Sequence, residues 1–277
     1  VIVVLGAIIG DIVGSTREWN NIKTENFELV PSGSRFTDDT VMTLAVAQWL
    51  MCDSAKGAGT LVRCMQELGR KYPFAGYGGM FMKWLQSHNP CPYGSFGNGS
   101  AMRVSPVGLY ATSLDEALHL AKLASSVSHN HPEGIKGAQA VAACVYLKKM
   151  NASNSEIKEY IETKFGYDLD VKLETIRPGY SFDVTCQGSV PIAIMSFLQR
   201  ENTEGVLRLA ISIGGDSDTI GCMACAISMA GIYRKEYSLD ATQKELIKHC
   251  ETLLPEDLLE INDRFEALIR TNRINEE

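Results

Sequence analysis

The sequence predicts an all-α protein, in which residues 1–277 form a single compact helical domain with long functional loops. Three observations lead to this prediction. Apolar residues recur at helical spacing through most of the chain, in stretches rich in Ala, Leu and Met. Alternation of apolar and polar residues, which is typical of half-buried strands, is scarce. No low-complexity linker divides the chain, and no repeat of fixed period is present.

The predicted elements are one candidate strand and eight helices. Val1–Leu5 is the plausible strand, although it could equally open a buried helix. Ser113 before Leu-Asp-Glu, Asn154 before Ser-Glu, and Pro191 in a first turn are typical of helix starts. The segments with helical periodicity are Thr40–Ser54, Leu114–Ser126, Ile135–Met150, Ser155–Phe165, Pro191–Arg200, Glu204–Ile213, Ile220–Tyr233 and Leu258–Asn272.

The most conspicuous loop is predicted over His88–Gly108. It contains three prolines and four glycines, and it is longer than most connections between helices. A loop of this length and composition is expected to have a function of its own.

Composition limits the classes of function. The formal charge of −7 and the pI near 5.4, with no basic stretch to offset them, argue against general nucleic-acid binding and against an anionic membrane surface. Val1–Gly10 is apolar but only about half as long as a membrane span, and no basic region precedes it, so we expect neither a membrane segment nor a signal peptide.

The eight cysteines are spread along the chain, and most lie in apolar or helix-like surroundings. This pattern predicts reduced, buried thiols and therefore a cytoplasmic protein. Cys222 and Cys225 form a C-x-x-C pair, but a zinc site would need a second pair, which the sequence lacks. We therefore interpret the pair as structural.

Two short acidic clusters, each placed just before a long apolar stretch, are the strongest candidates for chemistry. Residues 36–40 read FTDDT, and residues 214–219 read GGDSDT. Acidic and hydroxyl side chains are also expected as helix caps, so each cluster alone has this simpler explanation. The near-duplication and the Gly214-Gly215 pair, which allows a close approach of backbone to a ligand, favour a two-metal site. Carboxylate and hydroxyl oxygens form a hard ligand set suited to Mg²⁺ or Mn²⁺.

Several motifs occur in one order along the chain. They are residues 6–18 (GAIIGDIVGSTRE), residues 36–40, residues 94–103 (GSFGNGSAMR), Ser128-His129 followed by Gly134 and Gly137-Ala138, residues 189–191 (SVP), and residues 214–219. In this order the chain resembles the ADP-ribosylglycohydrolases. The resemblance covers about Gly6 to Tyr233, and the tail after Lys235 contains no motif that we can place.

The resemblance implies an orthogonal bundle of helices around a binuclear Mg²⁺ or Mn²⁺ centre. It also implies that Glu18, after a first glycine-rich helix, approaches the metals and takes part in catalysis. His129 is implied as a substrate contact, while His131 is interpreted as structural and Arg103 as a brace for the loop. The implied metal ligands are Thr37, Asp38, Asp39, Asp216, Asp218 and Thr219, and the implied substrate-binding loop comprises Ser95, Phe96, Gly97, Asn98 and Gly99.

The implied reaction is hydrolysis of the bond between ADP-ribose and an acceptor side chain, with a metal-activated water as the nucleophile. Glu18 or Asp218 would accept its proton. The partners would be an ADP-ribosylated protein or small molecule and the product ADP-ribose. Arginine is the favoured acceptor; the alternatives are an O-linked (serine) hydrolase, a catalytically idle ADP-ribose-binding protein and a two-metal nucleotide phosphoesterase.

Overall fold

The structure is a computed structural model that describes residues 6–52, 56–233 and 238–274. Within these ranges the chain contains α-helices and no strand, which confirms the all-α prediction. The helices are α1 Gly6–Gly14, α2 Asp38–Met51, α3 Ala58–Lys71, α4 Gly79–Gln86, α5 Ser105–Tyr110, α6 Leu114–Ser126, α7 Pro132–Lys149, α8 Asn154–Phe165, α9 Leu173–Ile176, α10 Cys186–Leu198, α11 Thr203–Ser212, α12 Ser217–Met229, α13 Ala241–Leu253 and α14 Glu256–Ile274. The candidate strand Val1–Leu5 lies outside the described residues.

All eight predicted helices are present, with boundaries that differ by a few residues. Helix α2 begins at Asp38, because the Thr37 side chain caps it by accepting a hydrogen bond from the backbone of Asp39. Ser113 caps α6 as predicted. Helix α8 begins one residue early, because Ser153 forms a capping box with Glu156.

The predicted helix start at Pro191 is wrong. Helix α10 begins at Cys186, and Pro191 lies inside it. The Thr185 side chain accepts a hydrogen bond from the Gly188 backbone N–H at 3.0 Å and so supplies the N-cap. The first turn is polar and small, so it shows no apolar periodicity from which the earlier start could be recognised.

The predicted loop His88–Gly108 is only partly irregular. It contains a 3-10 turn at Asn98–Ser100, and its last residues belong to α5. Helix α1 is the first glycine-rich helix that the resemblance implied, whereas the helices α3, α4, α5, α9 and α13 were not predicted. Most of them are short or contain glycine, but α3 presents Leu61, Met65 and Leu68 on one buried face, a periodicity that was available in the sequence.

Helix α1 lies at the centre of the molecule, and all nine of its residues are buried. It packs backbone to backbone against α12. A Cβ atom added at Gly10 would lie 2.0 Å from the Gly221 carbonyl oxygen, and one added at Gly14 would lie 2.4 Å from the Ser217 carbonyl oxygen. This close approach brings the polar residues of α1 next to the start of α12, where the second acidic cluster lies.

Candidate active site

The first acidic cluster is attached to α1 by a carboxylate that the sequence analysis gave no role. Asp11 is fully buried, and its side chain accepts hydrogen bonds from the backbone N–H groups of Thr37 (2.8 Å) and Thr40 (3.1 Å). It also accepts bonds from the hydroxyls of both threonines, at 2.7 Å for Thr37. Asp11 thus fixes the start of α2 against α1. Its position as a lone carboxylate inside an apolar helix was a usable indication, since a buried charge requires partners.

The second cluster begins with two glycines in the left-handed region, Gly214 (φ 79°) and Gly215 (φ 75°). This turn places Asp216 at the N-cap of α12, where its side chain makes no capping bond. Instead, the Asn98 amide donates a hydrogen bond to Asp216 Oδ2 at 2.7 Å. The predicted substrate loop therefore contacts the predicted metal ligands directly.

The two clusters, separated by about 180 residues in sequence, meet in the fold. The Thr219 hydroxyl donates a hydrogen bond to Asp39 Oδ2 at 3.1 Å. Candidate ligand atoms of Asp11, Asp39 and Asp218 lie within 4.8 Å of one another, and so do those of Glu18, Asp216 and Asp218. Asp218 belongs to both groups.

The remaining predicted ligands lie at different depths. Asp38 is partly exposed in the wall of the cavity described below. Thr37 is buried behind it, and its hydroxyl donates to Asp11 and lies 3.3 Å from Asp39 Oδ2. The structure thus brings Thr37 together with the carboxylates but does not expose it to the cavity.

The clustered carboxyl groups have raised pKa values. Burial, followed by the charges of Asp11, Asp38 and Asp216, holds the pKa of Asp39 well above its usual range. Burial and the charge of Asp39 do the same for the pKa of Asp218. Asp39 Oδ1 is moreover buried with no hydrogen-bond partner. An unpaired buried oxygen among like charges calls for protons or a cation at this position.

The pKa values of Glu18 and Asp11 are raised less than those of Asp39 and Asp218. Burial and the charge of Asp216 raise the pKa of Glu18 to about 7, against the opposing effect of Arg35. Burial raises the pKa of Asp11 to about 6, although its four hydrogen bonds act in the other direction. Glu18 can therefore exchange a proton near neutral pH.

A cavity of about 540 Å³ opens beside the carboxylates, a size suited to a nucleotide-like ligand. Of the predicted site residues, those that line it are Glu18, Asp38, Asp39, Ser95, Gly97, Asn98, Gly99, His129, Asp216, Asp218 and Thr219. The sequence analysis missed a second glycine segment, residues 76–79, which leads into α4. A Cβ added at Gly78 or Gly79 would meet nothing, so the backbone there is open to a ligand.

The predicted substrate loop is held against the start of α10. Gly97 and Thr185 form an isolated β-bridge, and the Asn98 N–H donates to the Val184 carbonyl at 2.8 Å. The Asn98 side chain also donates to the Ser189 hydroxyl at 3.1 Å. The loop is therefore fixed before any ligand binds.

His129 lies beneath this loop. Its Nδ1 lies 2.8 Å from the Ser128 hydroxyl, which in turn accepts a hydrogen bond from the guanidinium of Arg103 at 2.8 Å. Burial and the nearby Arg103 hold the pKa of His129 well below its usual range, so the ring is neutral. Arg103 is fully buried and also donates to the Ala124 carbonyl at 2.7 Å, which fits its interpretation as a brace.

Phe96 does not line the cavity. Its ring is 43% exposed and lies with its centroid 5.2 Å from that of His131. His131 caps α7 by accepting a hydrogen bond from the Glu133 backbone, which agrees with its structural interpretation. The role of Phe96 as a ligand contact stays a prediction.

Glu18 is positioned by the side chain of Asn21. The Asn21 amide nitrogen lies 2.7 Å from the Arg17 carbonyl, 2.9 Å from the Glu18 carbonyl and 3.0 Å from the Gly215 carbonyl. Its oxygen accepts the Gly215 N–H at 2.7 Å. One side chain thus connects the turn containing Glu18 to the glycine turn before Asp216.

The structure also bears on the predictions made for the cysteines and for membrane segments. All eight cysteines are free thiols, and Cys222 and Cys225 are fully buried within α12, as expected for a structural pair. Among the described residues, every helix is too short or too polar to cross a membrane.

Comparisons with known proteins identify the family of the chain. The ADP-ribosylglycohydrolase family model matches residues 2–275. ADP-ribosylhydrolase ARH3 of Homo sapiens is 27% identical over 92% of this chain and 89% of its own, and that of Mus musculus is 26% identical over 92% and 88%. ADP-ribosylarginine hydrolase Tri1 of Pseudomonas putida is 24% identical over 79% and 67%.

A solved structure described as an ADP-ribosylglycohydrolase-related protein complex shares the fold. Its TM-score is 0.67 at 20% identity, with 95% of both chains covered. Since the family model spans nearly the whole sequence and the fold agrees, the chain belongs to the ADP-ribosylglycohydrolase family and is an ADP-ribosyl-acceptor hydrolase, as its motifs predicted.

Proposed function

We propose that this protein releases ADP-ribose from modified arginine side chains with the help of two divalent cations, Mg²⁺ or Mn²⁺. The observation that supports this most strongly is the convergence of the two acidic clusters on one cavity, where Asp39 Oδ1 is buried without a partner. Burial and like charges raise the pKa values of Asp39 and Asp218, and a divalent cation between them would offset those charges.

The donor set fits a pair of hard cations. Asp39 and Asp218 would hold one ion, and Glu18, Asp216 and Asp218 the other, with Asp38 and Thr219 completing the set. Thr37 and Asp11 would orient Asp39 and the start of α2 from behind. When bound, such ions supply positive charge and bring the pKa of a coordinated water toward neutrality.

Proton transfer, substrate binding and stabilisation of charge on the sugar would depend on residues of the protein. Glu18, which lines the cavity beside the proposed cations, can accept the proton of the attacking water; Asp218 is the alternative acceptor. The substrate loop, together with the open backbone at Gly78 and Gly79, would bind the diphosphate and the distal ribose. Positive charge that develops on the sugar would be stabilised by the surrounding carboxylates.

Arginine is the proposed acceptor because one relative, Tri1, is an ADP-ribosylarginine hydrolase by name. The name of the ARH3 relatives, ADP-ribosylhydrolase, specifies no acceptor. An O-linked serine acceptor is therefore the second candidate.

The test is product analysis by mass spectrometry after incubation with arginine-modified and serine-modified peptides, with Mg²⁺ or with a chelator. The proposal predicts intact ADP-ribose and an unmodified arginine peptide, only in the presence of metal. AMP or phosphate would indicate the phosphoesterase alternative, and binding without any product would indicate the idle binding protein. Restoration of activity when metal is added back to the chelated sample controls for denaturation.

A further inference from the structure

Two aromatic side chains stack at the mouth of the cavity. The ring centroids of Trp19 and Phe182 lie 5.1 Å apart, with an angle of 24° between the ring planes. Both residues line the cavity, yet Trp19 is 78% exposed and Phe182 is 41% exposed. The other tryptophans, Trp49 and Trp84, are buried in the core. The pair therefore contributes little to the core and requires another explanation.

The first ring directly follows Glu18 on a turn that polar contacts hold in place. The Asn21 amide nitrogen lies 2.7 Å from the Arg17 carbonyl and 2.9 Å from the Glu18 carbonyl. The backbone that carries Trp19 is thus fixed next to the proposed catalytic carboxylate.

The second ring lies on a segment anchored on both sides. Before it, the Tyr180 hydroxyl donates to the Gly188 carbonyl at 3.0 Å, and Lys23 Nζ donates to the Tyr180 carbonyl at 2.7 Å. After it, the Thr185 N–H donates to Asp183 Oδ1 at 2.8 Å. Phe182 therefore presents a preorganised face rather than a freely moving side chain.

We propose that Trp19 and Phe182 form an aromatic platform that receives the acceptor side chain and selects the planar guanidinium of arginine. This inference rests on the proposed function. The acceptor belongs to another protein, so it must enter through the exposed mouth of the cavity, whereas ADP-ribose occupies the interior. The platform borders Glu18, beside which the bond to the acceptor would break.

The charge around the platform suits a cation. An aromatic face attracts a guanidinium through its quadrupole, and Arg stacks on such faces more readily than Lys does. Glu18 lies on one side, and Asp183, whose charge also acts on Asp216, lies next to Phe182. A serine acceptor has neither the positive charge nor the planar surface, so it would gain nothing from the platform.

The test compares arginine-linked and serine-linked ADP-ribosyl peptides on the metal-loaded full chain. Phe182→Leu keeps an apolar side chain but removes the aromatic face, and it leaves Glu18 untouched. We expect KM for the arginine-linked peptide to rise between about 2-fold and 30-fold, which is the range of a cation–π contact. We expect kcat, the affinity for free ADP-ribose and KM for the serine-linked peptide to stay unchanged. Where a peptide is bound but not cleaved, its inhibition constant replaces KM.

A matched control and a second variant separate the platform from general damage. Phe74 is 98% exposed and does not line the cavity, so Phe74→Leu should alter neither substrate. Trp19→Phe keeps an aromatic face, whereas Trp19→Leu does not. The platform predicts that Trp19→Phe retains the preference for arginine and that Trp19→Leu does not.

Equal effects of Phe182→Leu on both peptides, or no effect on either, would overturn the platform. Absence of ADP-ribose release from both peptides by the unaltered protein would instead contradict the proposed function. In that case the platform is tested by calorimetry, which measures the affinity of the two peptides for the same variants. Selective loss of binding of the arginine-linked peptide supports it, and any other pattern overturns it.

Discussion

Asp218 is shared by the two groups of carboxylates, so its side chain would contact both cations. We expect Asp218→Ala to lower metal-dependent activity by about 10²- to 10³-fold, the order expected for losing one major electrostatic contribution to catalysis. The variant should stay folded, because removal of a buried like charge relieves repulsion. Steady-state kinetics and thermal denaturation of the metal-free protein measure the two effects.

The control for this substitution is Asp115→Ala, since Asp115 is exposed in the first turn of α6 and away from the cavity. It should keep full activity. Retention of activity within about tenfold by Asp218→Ala, relative to the control, would contradict the assignment.

Asn21 offers a second test at the scale of the residue, because it connects the Glu18 turn to Gly215 without lining the cavity. Asn21→Ala should lower kcat by about 10²-fold, since a displacement of about 1 Å in a catalytic group has effects of that size. The affinity for ADP-ribose should not change. The neighbouring Asn20 is exposed, so Asn20→Ala is the matched control. Equal kcat values for the two variants would show that Asn21 does not position Glu18.

The candidate site was predictable where composition and spacing reflect chemistry. Asp39, Asp216 and Asp218 were assigned from their clusters, and the structure brings them together. Asp11 was overlooked although it is a lone carboxylate in an apolar helix; its partners, 26 and 29 residues away, could not be identified from the sequence. The Trp19–Phe182 pair was overlooked for the same reason, since the two rings meet only in the folded chain.

At the scale of the element, the crossing of α1 and α12 determines the distance between Asp11 and Asp218. A Cβ at Gly10 would overlap the Gly221 carbonyl, and a helix backbone cannot yield locally. We expect Gly10→Ala to destabilise the protein by about 3 kcal/mol or more, at or above the usual cost of overpacking. It should also weaken metal binding, because the two helices must separate. Chemical denaturation and metal titration measure these effects.

Gly59 provides the matched control, because it lies in α3 and an added Cβ there meets nothing. Gly59→Ala should be neutral or stabilising by up to about 1 kcal/mol, the difference in helix propensity between the two residues. Similar stability of the two variants would show that the helix crossing tolerates a wider spacing.

Helices were predictable where helix-favouring apolar residues formed long runs, as in α2 and α7. The start of α10 was not, because a polar first turn capped by Thr185 precedes its apolar part. Short helices such as α9 bury few residues and depend on neighbours that the sequence does not reveal. Element boundaries therefore followed side-chain caps more closely than hydrophobicity.

At the scale of the whole molecule, we propose that residues 1–277 form one domain. Buried apolar side chains from Ala7 to Ile269 belong to one continuous core. The expected outcome is a single cooperative transition for the intact chain in scanning calorimetry. Two transitions that respond differently to metal would indicate separate domains.

The charge of the site also predicts how the stability of the metal-free protein depends on pH. Folding raises the pKa of Asp11 from 3.8 to about 6 and that of Glu18 from 4.5 to about 7. Groups with raised pKa values bind more protons in the folded state, so their contribution to stability is complete below about pH 4 and is lost through about pH 6 to 7. Thermal midpoints in chelator should therefore fall from about pH 5 to about pH 8.

Metal ions should reverse this trend, because they bind the deprotonated carboxylates. The rise in thermal midpoint on addition of Mg²⁺ should be larger at about pH 8 than at about pH 5. The Asp39→Asn variant removes one ligand and should reduce this gain. A midpoint in chelator that is constant or rises between about pH 5 and 8 would contradict the assignment of raised pKa values.

The most direct test is anomalous scattering from crystals of the protein soaked in Mn²⁺. If the two acidic clusters hold a pair of cations, the anomalous map should contain two peaks, about 3.5–4 Å apart as in other two-metal sites. One should lie between Asp39 and Asp218, and the other between Glu18, Asp216 and Asp218. A single peak, or none at saturating metal, would contradict the proposal that these clusters hold a pair of cations.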